Sequence, residues 1–345
     1  MIVDLYPDRT AWLAGRSDPT AIGASEASAI LGVHPQLSSW QLWDRKVNGV
    51  AREDNAAVLG RGQRWESVVL AEYAEASSTR IQEPGAYFGK PGYLVTVAND
   101  AFQWLRSSPD SFAWQGDVLG HVEAKTAMHR DGWSPDGGVV VDQWSDEAAT
   151  VLPPHYAIQG YCQLAATDMP WNDVCALVPD GGWLAVRWVR LIRDVETQGQ
   201  IVEALGEWRD RHLVGKEPPA LDGTEACNRW LARKFSKRAE RPASVAEREA
   251  IERLAALRSE KKKIEGEVKI LTNDLVSGCD GSRLTFGGKG SPYGQPQFAK
   301  GKETVDGKAL REKFPEAHAA CLRVGAPSVS FKVYGFKSEG DDNDE

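Results

Sequence analysis

The chain lacks most of the features that would assign it at a glance. Its five cysteines, at positions 162, 175, 227, 279 and 321, are odd in number and contain no C-x-x-C pair. That spacing argues against a disulfide framework, a zinc ribbon and a cysteine-bound iron–sulfur cluster, and leaves the thiols as buried or surface side chains. No run approaches the roughly 18 to 20 consecutive apolar residues of a membrane span. The opening MIVDLYPDRT lacks the basic start and apolar stretch of an export leader. A soluble, cytoplasmic protein with no membrane partner is expected. The Gly287-Gly-Lys-Gly-Ser segment is not a phosphate loop, because its Lys is followed by Gly rather than Ser or Thr. His121-Val-Glu123 is not a deaminase zinc motif, because no P-C-x-x-C follows it.

Net positive charge is also missing. The net charge of −8 stands against nucleic-acid binding, since phosphate contacts rest on Lys and Arg. Whole-chain charge is the wrong scale, however, because the acidic tail from Glu339 to Glu345 contributes to the total without lining a groove. Between Arg229 and Lys269, Lys and Arg outnumber Asp and Glu by thirteen to seven. Arg229, Arg233, Lys234, Lys237, Arg238 and Arg241 are the densest part, readable as a DNA-backbone track or as a solvated helix face. At 345 residues and 42% hydrophobic content, the chain can build a sizeable core, and its length suggests two domains.

What is present is concentrated between Ser107 and Lys125, which reads SSPDSFAWQGDVLGHVEAK. Asp110 follows a proline, Glu123 comes thirteen residues later and Lys125 two beyond it. In the apolar-rich run 118–125, the two-residue period of a strand points Glu123 and Lys125 to one face. Asp110, ending a strand expected over 101–107, meets them across a hairpin. Mg²⁺ usually takes one or two carboxylates plus phosphate and water, so Asp110, Glu123 and the Ala124 carbonyl suffice for one ion. Such an ion polarises a phosphodiester and acidifies bound water. A neighbouring Lys can orient that water or meet charge building on the phosphoryl oxygens. The same residues also read as a solvated strand face and a turn acid, because short acidic motifs are common.

Four segments in order narrow the choice: AWLAGRSDPTAIGASEASAILGVHP from Ala11, LGRGQRWESVVLAEY from Leu59, the Asp110 to Lys125 stretch, and PPHYAIQGYCQLAAT from Pro153. Together, over residues 10–195, they resemble the YqaJ-type viral recombinase nucleases, a group that includes lambda exonuclease and lies in the PD-(D/E)xK superfamily. The resemblance implies an α/β fold with a restriction-endonuclease-like core, a central mixed sheet flanked by helices. It implies a Mg²⁺-dependent deoxyribonuclease, with Mn²⁺ as a substitute. Such an enzyme digests linear double-stranded DNA from the 5′ end and leaves 3′ single strands for a single-strand annealing recombinase. The ring-shaped oligomer of the family makes a homo-oligomer a candidate state.

Carried over by residue, the resemblance makes Glu66 the helix-borne acid facing the metal, directly or through water. Asp110, Glu123 and the Ala124 carbonyl become ligands, Lys125 the catalytic amine and Gln159 the first glutamine of the late motif. Ser25 and Ser108 resemble phosphate-contacting serines, although Ser25 also suits a helix N-cap. Arg16 resembles an arginine that grips a 5′ phosphate. The late motif, Tyr-x-x-Gln-x-Gln in the family, has Tyr161 in place of its second glutamine. The Tyr161 phenol is expected to serve a phosphate or metal water, while Gln163, one position out of register, is expected to substitute poorly. An endonuclease on the same site, and a DNA-binding or regulatory protein without catalysis, stay open.

The pattern predicts helices over 24–33, 39–48, 58–77, 156–167 and 196–214, and strands over 86–93, 101–107, 118–126, 173–178 and 183–191. Residues 128–150 read as a loop, with Trp133 and Trp144 as packing or base-stacking residues. A nuclease domain over 1–215 is followed by an extension over 216–345. The extension carries a long helix over 244–277, a small β-containing appendage and the acidic tail. Ala250, Leu254, Leu257, Lys261, Ile264, Val268, Leu271 and Leu275 give that helix alternating three- and four-residue steps. The stripe is readable as docking within the chain or as an oligomer contact.

Overall fold

The computed structural model describes residues 1–50, 56–127, 132–134, 136–180, 183–235, 240–280, 282–285, 293–296, 307–321 and 330. They fall into two compact units, Met1–Trp230 and Leu231–Glu345.

In the first unit the strands are β1 (Ile2–Tyr6), β2 (Ile22–Gly23), β3 (Arg80–Gln82), β4 (Leu94–Ala98), β5 (Leu105–Ser107), β6 (Ser111–Gln115), β7 (Val118–Thr126), β8 (Val139–Val141), β9 (Trp171–Asp180) and β10 (Trp183–Ile192). The helices are α1 (Arg9–Gly15), α2 (Ala27–Ile30), α3 (Ser39–Asn48), α4 (Ala56–Ser77), α5 (Pro84–Tyr87), α6 (Ala148–Val151), α7 (Pro154–Thr167), α8 (Val195–Trp208) and α9 (Glu225–Lys234). A six-stranded sheet runs β3-β6-β7-β9-β10-β8, and a smaller one runs β1-β4-β5-β2. In the large sheet β7 with β9 and β8 with β10 are parallel, and the other pairs are antiparallel. This is the mixed α/β core that was expected.

Alternation along β7 and β9 sorts the two faces of the large sheet. Val122 from β7 and Cys175 and Leu177 from β9 pack with Val69 and Tyr73 of α4. Val174, Ala176 and Val178 pack on the opposite side with Ala157, Tyr161 and Leu164 of α7. Glu123, paired with Val174 across the strands, therefore lies on the α7 face. Gly160 lets α7 sit close: a Cβ there would come within 2.5 Å of Leu191 Cδ1 and 3.1 Å of Asn172 Nδ2.

Several elements depart from the sequence reading. The strand expected over 86–93 is replaced by α5, with Pro84 in its first turn, and by glycines 89 and 92 at φ +71° and +81°; the strand itself begins at Leu94. A further strand, β6, begins just after Asp110 and pairs with β7, so the hairpin that brings Asp110 to Glu123 is β6–β7 and not one built on the 101–107 segment. The segment read as a loop contains β8 and α6. Trp133 is buried in the core there and Trp144 packs on it, so both are packing residues. Past residue 215 the compact unit continues to Trp230, with Ala226 and Cys227 buried and the Trp230 ring 5.4 Å from Trp40.

In the second unit, α10 (Val245–Gly278) is a helix of 34 residues. Ser244 caps it, exchanging hydrogen bonds with Glu247 in a capping box. None of its residues is buried. A short ribbon pairs Leu284–Thr285 with Tyr293–Gly294, and two small helices span Gly307–Lys313 and Pro315–Cys321. Within the expected β-containing appendage, residues 287–291 and 329–334 lie outside the described residues, residue 330 apart, as do Lys237, Arg238 and the acidic tail.

Candidate active site

The end of the β6–β7 hairpin creates the centre of the site. The paired register stops at Ser111 opposite Val122, while β7 runs on to Thr126. Beyond that point the Ala124 N–H, which has no partner in β6, donates to Asp110 Oδ2 at 2.8 Å. Asp110 thus both ends the pairing and brings a carboxylate beside Glu123.

Glu123 is held on both oxygens. Gln159 Nε2 donates to Oε1 at 2.6 Å, and Gln163 Nε2 donates to Oε2. Gln159 and Gln163 are four residues apart and therefore share a face of α7. Gln163 is fixed in turn by Asn172, whose Nδ2 donates to its Oε1 at 2.8 Å. Lys125 makes a short ion pair with Glu123 and donates to Gln159 Oε1 at 3.1 Å. Its ammonium also sits 5.3 Å from the Tyr156 ring centroid.

Glu66 arrives from the other helix. Val69 and Tyr73 of α4, three and seven residues on, are fully buried against the sheet. The Tyr73 hydroxyl donates to Asp173, which Arg190 grips through two bonds of 2.7 Å. With α4 anchored there, Glu66 and Asp110 line one cavity together with Ser67, Leu70, Ala71 and Glu83.

Three carboxylates in one place repel each other. Burial, then Glu123 and Glu66, push the Asp110 carboxyl well above its usual range. Burial and Glu123 raise Glu66 as well. Burial would lower Lys125, but Glu123 and Asp110 outweigh it and hold the ammonium above the ordinary lysine range. Lys125 is therefore a cationic donor. Among the described residues, no three His, Cys, Asp or Glu side chains form a ready-made metal cage. The donor set nevertheless suits a hard divalent cation that keeps part of its shell as water and phosphate. Adjacent carboxylates with raised affinity for protons are relieved by such a charge.

The phosphate-contact candidates gather partly. The Trp12 indole N–H donates to Ser108 Oγ at 3.3 Å, and Ser108 Oγ lies 3.0 Å from Thr96 Oγ1, so one use of this hydroxyl is to tie α1 to the sheet. Arg16 stacks on the Trp12 ring at 4.3 Å, with Arg9 over the same ring at 5.7 Å. Arg9 also acts electrostatically on Glu66, which connects this arginine–tryptophan cluster to the acids. Ser25 is exposed in the turn Ala24–Glu26. It does not cap the helix; Gly23 holds that position, with its N–H donating to Glu26 Oε2 at 2.8 Å.

Tyr161 corrects the sequence reading. It is 1% exposed within the core cluster, edge-on to Trp144, and its hydroxyl has no hydrogen-bond partner. It cannot reach a phosphate. Its position in α7 is two residues from both Gln159 and Gln163, which turns it about 200° away from the Glu123-facing side. Gln163, expected to substitute poorly, makes the contact to Glu123. Its i+4 spacing from Gln159 was the available signal. Nothing in the spacing pointed to Asn172 or Arg9.

Residues 11–170 match the family described as YqaJ-like viral recombinase domain. The likeness to that family spans a little under half of the chain. Across nearly its full length the chain is also 23% identical, over 333 residues, to the uncharacterized protein YqaJ of Bacillus subtilis (strain 168), covering 95% of this chain and 94% of that protein. Among solved structures, an alkaline exonuclease (LHK-Exo) from Laribacter hongkongensis aligns at 18% identity over 66% of this chain and 98% of its own, with a TM-score of 0.40. A phage-related exonuclease from Haemophilus somnus aligns at 11% identity over 57% of this chain and 96% of its own, with a TM-score of 0.39. The match to the YqaJ-like domain contains Glu66, Asp110, Glu123, Lys125, Gln159 and Gln163, the residues assembled above.

Proposed function

We propose that the YqaJ-like domain makes this chain a divalent-metal-dependent deoxyribonuclease. In this reading it digests linear duplex DNA from the 5′ end, leaving 3′ single strands for recombination with an annealing partner. The observation that carries the proposal is the convergence of Asp110, Glu123 and Lys125 around the end of β7, with both Glu123 oxygens fixed by glutamines of α7.

Asp110, Glu123 and the Ala124 carbonyl would hold Mg²⁺ or Mn²⁺, with Glu66 reaching it directly or through water. A bound ion supplies charge neutralisation at the scissile phosphate and a more acidic water. Gln159 and Gln163 keep the Glu123 carboxylate from turning, and Asn172 keeps Gln163 in its donating orientation. Lys125, held protonated by Glu123 and Asp110, offers N–H donors to charge developing on the phosphoryl oxygens. It is not the base that removes the water proton. Arg16, braced on Trp12, and Ser25 supply the contacts for a terminal phosphate, with Ser108 nearby.

The test uses 5′-phosphorylated linear duplex and closed circular plasmid, each with Mg²⁺ or EDTA, beside Lys125→Ala. Metal-dependent loss of the linear DNA alone, reduced by at least about 100-fold in the variant, is expected. Cleavage of the circle would turn the reading to an endonuclease on the same residues. DNA binding without cleavage of either substrate would overturn the catalytic reading.

A further inference from the structure

The long helix of the second unit lies outside the YqaJ-like domain and leaves an ordered apolar seam in solvent. Leu257, Ile264, Val268, Leu271 and Leu275 are 44 to 61% exposed. Among the described residues of this 34-residue helix, none is buried. A seam of this length seeks a helical partner, since packing of an apolar stripe supplies most of a helix's stability. We propose that the partner is a second copy of the same helix, running antiparallel.

The sequence of the seam selects both the occupant and its direction. Centred between Lys261 and Ile264, an antiparallel copy pairs every seam residue with another: Ala250 with Leu275, Leu254 with Leu271, Leu257 with Val268, and Lys261 with Ile264. No seam position is left over. The lysine then lies across an isoleucine, with its stem on the apolar layer and its ammonium turned outward toward Glu265, 3.5 Å away on the same helix. In a parallel pair the two Lys261 ammonium groups would face each other inside the seam.

The flanking charges agree. Antiparallel packing brings Arg253 beside Asp274 of the second copy and Arg258 beside its Glu265, each twice by symmetry, with Glu260 facing Glu267 as the one like-charged contact. Parallel packing sets Arg253 against Arg258 and Glu260 against Glu265, with no opposite-charged flanking pair. Flanking pairs of this kind set partner orientation in coiled coils. Gly266, a weak helix former, falls on the outer face, where a Cβ would meet nothing within 4 Å.

Sedimentation equilibrium of the full chain tests the proposal. Wild type is expected to associate, and Ile264→Asp to weaken association at least tenfold while retaining helical circular dichroism. The direction is read from Arg253→Glu, which should weaken an antiparallel pair about three- to tenfold, at a few tenths of a kcal/mol or more per ion pair. The same change would tighten a parallel one, because the introduced carboxylate would face Arg258 of the second copy. Glu267→Lys should tighten the antiparallel pair and leave a parallel one unchanged. A monomeric wild type would overturn the proposal, as would an assembly indifferent to Ile264→Asp or one that tightens in Arg253→Glu.

Discussion

At the scale of single residues, the site depends on side chains whose only visible task is to hold others. Gln163→Ala would free one oxygen of Glu123 and leave Asn172 Nδ2 with only the long bond to the Gly160 carbonyl. Supporting contacts to metal-binding carboxylates are worth about 10- to 100-fold, so a loss of cleavage in that range is expected, with weaker Mg²⁺ dependence in a metal titration and little change in DNA affinity. Tyr161→Phe gives the opposite expectation. Its hydroxyl is buried without a partner, so removing it should leave cleavage unchanged and stability equal or slightly higher; a large loss of cleavage would restore the phenol to the mechanism. Gly23→Ala probes Arg16 separately. A Cβ there comes within 2.8 Å of Arg16 Nη2, the far end of a flexible side chain. The variant should fold normally and lose preference for 5′-phosphorylated over 5′-hydroxyl ends. Asp110, Glu123 and Lys125 were legible because their chemistry and spacing are local. Asn172 was not, because it meets Gln163 only after α7 docks on β9.

At the scale of elements, the site is a matter of how closely two helices approach one sheet. Gly160→Ala would drive a Cβ against Leu191 and Asn172, at a cost of about 1–3 kcal/mol for overpacking. Because the displaced helix carries both glutamines, cleavage should fall with stability, and urea denaturation beside an activity assay would register the two together. On the other face, Arg190 neutralises Asp173, which is itself completely buried. Removing one partner of a buried pair costs about 3–5 kcal/mol. Arg190→Ala should therefore lower the urea midpoint more than Tyr73→Phe, which removes one hydrogen bond and leaves the charge paired. The long amphipathic and β-branched segments, α4, α7, β7, β9 and β10, were readable from period alone. The strands β3, β8 and β1 are short or half-buried, and their pairing is decided by residues distant in sequence. The 86–93 segment misled because its apolar content suits a strand, whereas Pro84 and two glycines at positive φ impose a turn of helix and a loop.

At the scale of the whole molecule, acid should destabilise the fold through a histidine next to the site. Burial, with smaller contributions from His34 and Lys125, pushes the His155 imidazole down to about 4. An unfolded histidine titrates near 6.5. The unfolded chain therefore binds this proton first, and the contribution is complete above about pH 6.5 and lost as pH falls from there through about 4. His155→Gln should leave the melting temperature near pH 7.5 almost unchanged and shift the acid limb of its pH profile to lower pH; an unshifted limb would remove His155 as the cause.

α10, which has no buried residue, also has a consequence for amide exchange. Its backbone hydrogen bonds have no core above them, so their protection rests on the helix alone, which is marginal in water at this kind of composition. The amides of β9, closed in by helices on both faces, should exchange slowly at any protein concentration. Those of residues 250–275 should exchange rapidly in dilute solution and slow as the protein is concentrated, so that one deuterium-uptake series across a dilution range reads folding from one segment and encounter between molecules from the other.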